Sequence, residues 1–556
     1  MIARVSLVFL TTLLLASGGC KQGTKQVPAA RDSTVYKPEP YIEAVLDTLL
    51  IGSFLETHPR YQPYDSLVRD FYLKREYHLA WFNRDSLTEQ VGSFMNMMRQ
   101  DEALGLADSS LANQRLGFLY DSLTVDGGRI ESEHLLQQME LMLTSHFFLF
   151  ADKAWGGMTT SNAKDLEWFI PRKKMDMASL ISSLLDTGGV QLDSIEPLHP
   201  QYSKLRGYLE VLDGLAEKVK WDTLRLEGKK LIPGDSTQLI GRIKRRLALL
   251  GFGYTPVPGK DSPNQYTALF DSLIRDYRLC NGLATAGHID QKLLDNLNIR
   301  PEDRMRKILI NMERLRWVPN APGDYYLLAN IPGFMLYAYE NDSLMWSMPV
   351  VVGKPAHQTV VFSGSMKYVV FSPYWNIPPG ILANETLPAI KRNVSYLKKH
   401  NMEVVRGGKV VNPATIDWKK YSASNFPYMI RQKPGGSNSL GRVKFLFPNE
   451  YNIYLHDTPA KSLFSADFRS FSHGCIRVSK PAELAEYLLR SDSTWNKVEI
   501  DRAMHSGKEK YVTLKQPVTV YIGYFTAWVD SKGHLNFRPD VYGHDAKLSG
   551  LLFGKQ

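Results

Sequence analysis

The feature that most limits what this chain can become is a change of hydrophobic period near residue 320. Before it, apolar residues recur at helical spacing: Val91, Phe94, Met95 and Met98, then Leu136, Met139, Leu143, Phe147 and Phe150. After a helix predicted from Asp303 to about Trp317, the pattern turns to strands. Tyr325 to Asn330, Gly333 to Glu340 and Leu344 to Val352 are rich in β-branched and aromatic residues, with Asn341-Asp342 as a tight turn, and Lys367 to Ser372 adds another strand. Helical and strand patterns segregated in this way predict a multidomain α+β protein. The length of 556 residues exceeds what one core usually serves, and 44% hydrophobic with 22% charged residues is a globular composition.

Punctuation divides the chain further. Residues 41–234 read as a helical scaffold without a catalytic constellation. Residues 235–299 form a compact three-helix unit, in which Ile243, Leu247 and Leu250 make an apolar stripe and Gly251 is placed to cap the first helix. A second helix runs from about Tyr266 to Cys280, and a third follows Asp290 with Leu293, Leu294 and Leu297. Leu250-Gly251-Phe252, Asn281-Gly282-Leu283 and Gly287-His288-Ile289-Asp290 resemble the small peptidoglycan-binding domain of wall hydrolases; a merely structural insert is the alternative. Residues 300–320 are the linking helix, 321–505 a mainly-β domain, and 506–556 C-terminal strands. Pro373, Pro378, Pro379 and Gly380 interrupt the strands, and an insertion over about 376–435 reads as a lid-like subdomain or as a plain surface excursion.

The first twenty residues differ in kind. Arg4 precedes the apolar run Val5 to Ala16, followed by Ser17-Gly18-Gly19 and Cys20, which resembles a bacterial lipoprotein signal peptide with Cys20 as the lipidated residue. Residues 21–40 then read as a tether with Pro28, Pro38 and Pro40. The expected location is the cell envelope, in the periplasm, with a lipid anchor in a membrane. Three cysteines, one in the signal, exclude a disulfide framework. Cys280 shares a helical face with Leu273 and Tyr277 and reads as a small core residue. The net charge of +10 suits an anionic partner, but its longest basic run, Lys244-Arg245-Arg246, reads as a solvated helix face, and export argues against nucleic acid.

Chemistry concentrates late in the chain. In Asn452-Ile453-Tyr454-Leu455-His456-Asp457 the polar residues alternate with Ile453 and Leu455, so His456 ends a polar strand face. Nineteen residues on, Ser472-His473-Gly474-Cys475-Ile476-Arg477-Val478 turns Cys475 and Arg477 one way and Ile476 and Val478 the other. Two neighbouring strands would present an imidazole and a thiol to one cleft. A thiol needs a base to become a nucleophile at neutral pH; His456 would take its proton and leave an ion pair, with Arg477 adding positive potential. Gly474 admits a substrate backbone, and the amides around Gly474 and Cys475 would donate to an oxyanion. His473 either shapes the loop or acts directly.

Ser472-His473-Gly474-Cys475-Ile476-Arg477-Val478 preceded by His456 closely resembles the signature of the L,D-transpeptidase catalytic domain. Asn311-Met312-Glu313-Arg314-Leu315-Arg316-Trp317, Val352-Gly353-Lys354-Pro355, Pro373-Tyr374-Trp375-Asn376-Ile377-Pro378 and Leu440-Gly441-Arg442-Val443-Lys444-Phe445 look like segments of the large Gram-negative members, which also place a helical scaffold and a peptidoglycan-binding domain ahead of the catalytic domain. The resemblance implies a β-sandwich-like catalytic domain, Cys475 as acylated nucleophile, His456 as general base, and no metal or organic cofactor. It implies peptidoglycan stem peptides as substrates, 3-3 cross-links as products, and carbapenem-type β-lactams as inhibitors. Arg477 would orient an acidic peptide group or the loop; Tyr454, on the polar face of His456, would contact substrate, and Trp375 and Tyr374 would line the cleft or serve the core. Water as acceptor would make the same residues an L,D-carboxypeptidase, and a spent site would leave a wall-binding lipoprotein. Papain-like wall peptidases are disfavoured because there the cysteine normally precedes the histidine.

Overall fold

The computed structural model describes residues 45–554 apart from 104–110, 112, 126–129, 131, 159, 173, 187–195, 197, 229, 254–261, 320–321 and 342. Cys20, the signal-like segment, the tether and Asp342 therefore lie outside the described residues. Among those described, no helix is long and apolar enough to cross a membrane.

The scaffold forms around α1 (Glu133–Phe150), capped by Ser132, whose side chain accepts from the Leu135 amide. Every residue from Met139 to Phe150 is buried, so α1 is wrapped on all sides by apolar side chains such as Val68, Trp81, Phe94 and Trp155. The next long helix, α2 (Pro200–Lys218), lies within the predicted scaffold but packs elsewhere. Its Tyr202, Leu205, Leu209 and Leu212 join the core of the β domain, against α6 (Pro301–Arg316). The predicted linking helix is thus itself a core element. Its Glu313 accepts from Met158 N (2.6 Å) and Trp317 Nε1 (2.9 Å) and pairs with Arg316 (2.6 Å), which reaches Tyr202.

Between them sits the three-helix unit, α3 (Gln238–Leu249), α4 (Ala268–Cys280) and α5 (Gln291–Leu297), capped by Thr237, Thr267 and Asp290. It has its own core of Ile243, Leu247, Phe270, Tyr277, Cys280 and Leu294. Gly251 ends α3 with φ +86°, a conformation that favours glycine. One reading needs correction: Arg246 is no part of a solvated face. Its guanidinium is buried, donates to Leu297 O (2.9 Å) and Asp222 O (2.8 Å), and lies 3.7 Å from the Trp221 ring centre. Run composition alone could not reveal that α3 turns this one arginine inward.

Eight strands make the ring of the β domain: β1 (Tyr325–Asn330), β2 (Met335–Glu340), β3 (Ser343–Gly353), β4 (Val361–Phe371), β5 (Val443–Leu446), β6 (Leu455–His456), β7 (Ile476–Val478) and β8 (Lys510–Gly523), with a short strand, Ser470–Ser472, pairing off the ring with β3. Their order is β5-β6-β7-β3-β2-β1-β8-β4, and β4 pairs back to β5, so the sheet closes on itself and the expected sandwich-like faces are two sides of one sheet. Only β6–β7 and β1–β8 are parallel in this ring. The scaffold adds a short strand, Trp168–Phe169, parallel to β4.

Placing residues 506–556 apart from the β domain is incorrect. β8 sits between β1 and β4 in the ring, and beyond the hairpin of Ala527–Val529 and Leu535–Phe537 the chain ends its described part in a helix, His544–Phe553. Asp545 of that helix pairs with the buried Arg314 of α6 at 2.6 Å.

The insertion carries its own four-stranded sheet, ordered Lys409–Val411, Met402–Arg406, Met429–Gln432, Trp375–Asn376. Ile377, Ile390, Leu397, Val404, Trp418 and Ile430 form a separate small core beneath it.

Candidate active site

The fold places the cysteine segment through β6 and β7. Leu455, Ile476 and Val478 are fully buried in the core, and strand alternation sends their neighbours to the opposite side. β6 and β7 run parallel with Leu455 opposite Ile476 and His456 opposite Arg477, and Ile476 N donates to Tyr454 O at 3.1 Å. Cys475, just before β7, therefore sits beside Tyr454, while His456 and Arg477 stand side by side one step further along. Cys475 is half-buried, and its thiol donates to Asn452 O at 3.6 Å.

The loop is built to present that sulfur. Gly474 has φ +111°, which side-chain-bearing residues rarely adopt. Its carbonyl accepts from Thr359 Oγ1 (2.7 Å), and Thr359 Oγ1 in turn accepts from Gly353 N (2.9 Å). Ser472 Oγ donates to Cys475 O (2.6 Å) and accepts from Gly474 N (3.2 Å). The Gly474 amide is thereby engaged. Among the described hydrogen bonds the amides of His473 and Cys475 have no acceptor, so they are the donors left for a developing oxyanion.

His456 is buried and its Nδ1 meets Asp457 O at 2.5 Å, which requires the Nδ1–H tautomer and leaves Nε2 as the basic atom. Burial, then the neighbouring Arg477 charge, push its pKa down to about 4. The Cys475 thiol is pushed up by burial, against the pull of the Tyr454 hydrogen bonds and Arg477. Desolvation thus disfavours both charges and favours neutral thiol and neutral imidazole over the ion pair expected from sequence. Tyr454 is raised by its burial and by the adjoining thiol. No hydrogen bond joins His456 to Cys475 among those described; such contacts commonly tighten only when substrate binds.

Arg477 has no carboxylate partner among the described ion pairs, and its Nε is buried without a hydrogen bond. A guanidinium left in this way beside a nucleophile suits an anionic ligand group. His473 meets the insertion: its Nε2 lies 3.1 Å from Glu385, and its ring stacks on His357 at 5.0 Å. The insertion thus touches the cysteine loop. It carries ten Lys and Arg against three Asp and Glu over residues 376–435.

Among the described contacts none joins Tyr374 or Trp375 to Cys475. Tyr374 lies at the root of the insertion, with its amide on Glu509 (2.9 Å) and its ring 4.0 Å from the Arg431 guanidinium, while Trp375 pairs with Gln432 and packs on the insertion core. Sequence reading passed over Asp457, whose carboxylate accepts from Arg442 N (2.8 Å), Thr458 N (2.7 Å) and Lys461 (2.5 Å) and so fixes the carbonyl that orients His456. A signal existed in Leu440-Gly441-Arg442: Gly441 has φ +63°, and a Cβ there would stand 2.3 Å from the Asp457 carboxylate.

Comparison with known proteins agrees with this geometry. Residues 324–500 match the model of the L,D-transpeptidase catalytic domain, YkuD, and residues 66–209 match that of the scaffold domain. A Haemophilus influenzae protein provisionally named an L,D-transpeptidase is 32% identical over 273 residues, 48% of this chain and 55% of its own length. The chain thus spans about half the length of the curated relative it matches. Among solved structures, an L,D-transpeptidase from Mycobacterium smegmatis shares 15% identity over 35% of this chain and 58% of its own, with a TM-score of 0.18. A second, from Xylanimonas cellulosilytica, shares 12% over 54% of this chain and 100% of its own, with a TM-score of 0.17; likeness at that level carries no weight. Residues 324–500, which enclose the Cys475 cleft, are thus similar to an L,D-transpeptidase catalytic domain of the YkuD type, and residues 66–209 ahead of them to its scaffold domain.

Proposed function

We propose that the protein is an L,D-transpeptidase that forms 3-3 cross-links between peptidoglycan stem peptides through a Cys475 thioester. The observation that carries the reading is the juxtaposition of a half-buried thiol, a neutral imidazole with Nε2 free to accept, and an unpaired guanidinium on two adjacent parallel strands.

His456 Nε2 takes the thiol proton as Sγ attacks the carbonyl of the third stem residue, and the oxyanion falls to the His473 and Cys475 amides. Collapse breaks the peptide bond, and His456 returns its proton to the departing D-Ala amine. An amine of a second stem then attacks the thioester, gives its proton to His456, and displaces the Cys475 sulfur. Arg477 holds a stem carboxylate during both halves, and the basic insertion favours an anionic polymer at the cleft mouth. Carbapenem-type β-lactams acylate the same sulfur. Cys20 carries the lipid anchor in the periplasm, and the three-helix unit binds the wall.

Incubation with disaccharide-tetrapeptide, followed by mass spectrometry, tests this reading. A cross-linked dimer that has lost one D-Ala, with an acyl adduct on Cys475 that disappears in folded Cys475→Ala, is expected. Free tripeptide without dimer would assign the carboxypeptidase reaction instead, and an adduct surviving in Cys475→Ala would overturn the nucleophile.

A further inference from the structure

A second cluster of reactive side chains lies away from the cleft, where the three-helix unit meets the C-terminal hairpin. Cys280, the last residue of α4, is 3% exposed. Asp530 and His534 flank the turn between Ala527–Val529 and Leu535–Phe537. The thiol sulfur, a carboxylate oxygen and an imidazole nitrogen of these three residues all lie within 4.8 Å of one another. We propose that Cys280, Asp530 and His534 form a site for a divalent transition-metal ion of the zinc class, which fastens the three-helix unit to the β domain.

Zinc bonds of about 2.0–2.3 Å put tetrahedral donors about 3.5 Å apart, so closure by about 1 Å through side-chain rotation completes the site. His534 Nδ1 already stands 3.9 Å from Asp530 Oδ2. The ligands are held from behind, as metal ligands require. Asp530 Oδ1 accepts from Lys532 N and His534 N, each at 2.9 Å, and Oδ2 accepts from Asn536 Nδ2 at 3.1 Å. The His534 ring stacks on Phe252 of the three-helix unit at 5.4 Å, and Arg538 donates to Cys280 O at 2.7 Å. Tyr208 of α2 donates to Gly533 O at 2.5 Å, pinning the turn from a third side.

A capped turn accounts for the hydrogen bonds of Asp530 alone. It does not account for a thiol and an imidazole converging on the same carboxylate from two different folding units. The donor set decides the metal class: thiolate and imidazole select zinc-like ions over magnesium or calcium. On binding, the Cys280 thiol gives its proton to solvent, and thiolate and carboxylate together neutralise the dication. The flanking Arg538 and Lys532 then face a site without net charge. Three protein donors leave one position for water.

The test uses the chain with Cys20→Ser and Cys475→Ala, in which Cys280 is the one remaining cysteine. Titration with Co(II) is expected to give a sulfur-to-cobalt charge-transfer band that saturates at one equivalent, disappears in His534→Ala and Cys280→Ser, and is displaced by Zn(II). Zn(II) should also raise the melting temperature of the parent but not of His534→Ala, whose substitution lies in a partly exposed turn and leaves the core intact. Absence of the band in the parent, or its persistence in folded Cys280→Ser, would overturn the proposal. Cys475 is absent from every chain compared and neither His534→Ala nor Cys280→Ser lies in the cleft, so this outcome is independent of the transpeptidase reading.

Discussion

The protonation state of the cleft makes a prediction that separates a general-base mechanism from a resting ion pair. His456 is held near a pKa of about 4, by burial first and the Arg477 charge second, and the Cys475 thiol is pushed upward by burial. At pH 5.5 such an imidazole is about 97% neutral, whereas one at the ordinary value of about 6.5 would be only about 9% neutral. Acylation by a carbapenem, followed as loss of the drug's absorbance in single-turnover stopped flow, should therefore proceed at nearly the same rate at pH 5.5 and 7.5. The acid limb should appear only as pH approaches 4. Replacing Arg477 with Gln removes a like charge and should move that limb to higher pH. A roughly tenfold fall in the wild-type rate between pH 7.5 and 5.5 would refute the reasoning, since it would mean that burial does not hold His456 neutral.

Three further outcomes follow from the same contacts. Because the folded pKa of His456 lies below the unfolded value of 6.5, both states are neutral above that pH; between 6.5 and 4 only the unfolded chain gains the proton. Stability should thus fall with acid, by about 3 kcal/mol for this residue at pH 4, and urea titrations of His456→Gln should show a shallower pH slope. Gly441→Ala forces a Cβ against the Asp457 carboxylate and demands φ +63° of an alanine; acylation should drop at least tenfold and stability by about 1–3 kcal/mol, measured by carbapenem adduct rate and thermal melting. Thr359→Val removes the hydroxyl that ties Gly474 O to Gly353 N, both buried; calorimetry should register a loss of about 2 kcal/mol, with slower acylation at unchanged cysteine content.

What could be read from the residues alone was local. Leu136, Met139, Leu143 and Phe147 announce a helix because their spacing matches its turn, and Tyr325 to Asn330 announce a strand. His456 and Cys475 were legible because strand alternation already turns both toward one side, and their separation allows two neighbouring strands. The sequence by itself therefore determined the element types, the placing of His456 and Cys475 on neighbouring strands, and the family they resemble. Only the tertiary structure decided the rest. β8 enters the ring between β1 and β4 through a parallel pairing with a strand far behind it in the chain, and α2 leaves the scaffold core for the β domain. Residue periodicity encodes which face is buried but not which partner buries it. The same limit explains the cleft: a pKa follows from depth, neighbouring charge and a fixed carbonyl, so the neutrality of His456, its tether to Asp457 and the turn of His473 toward Glu385 exist only once the chain has closed.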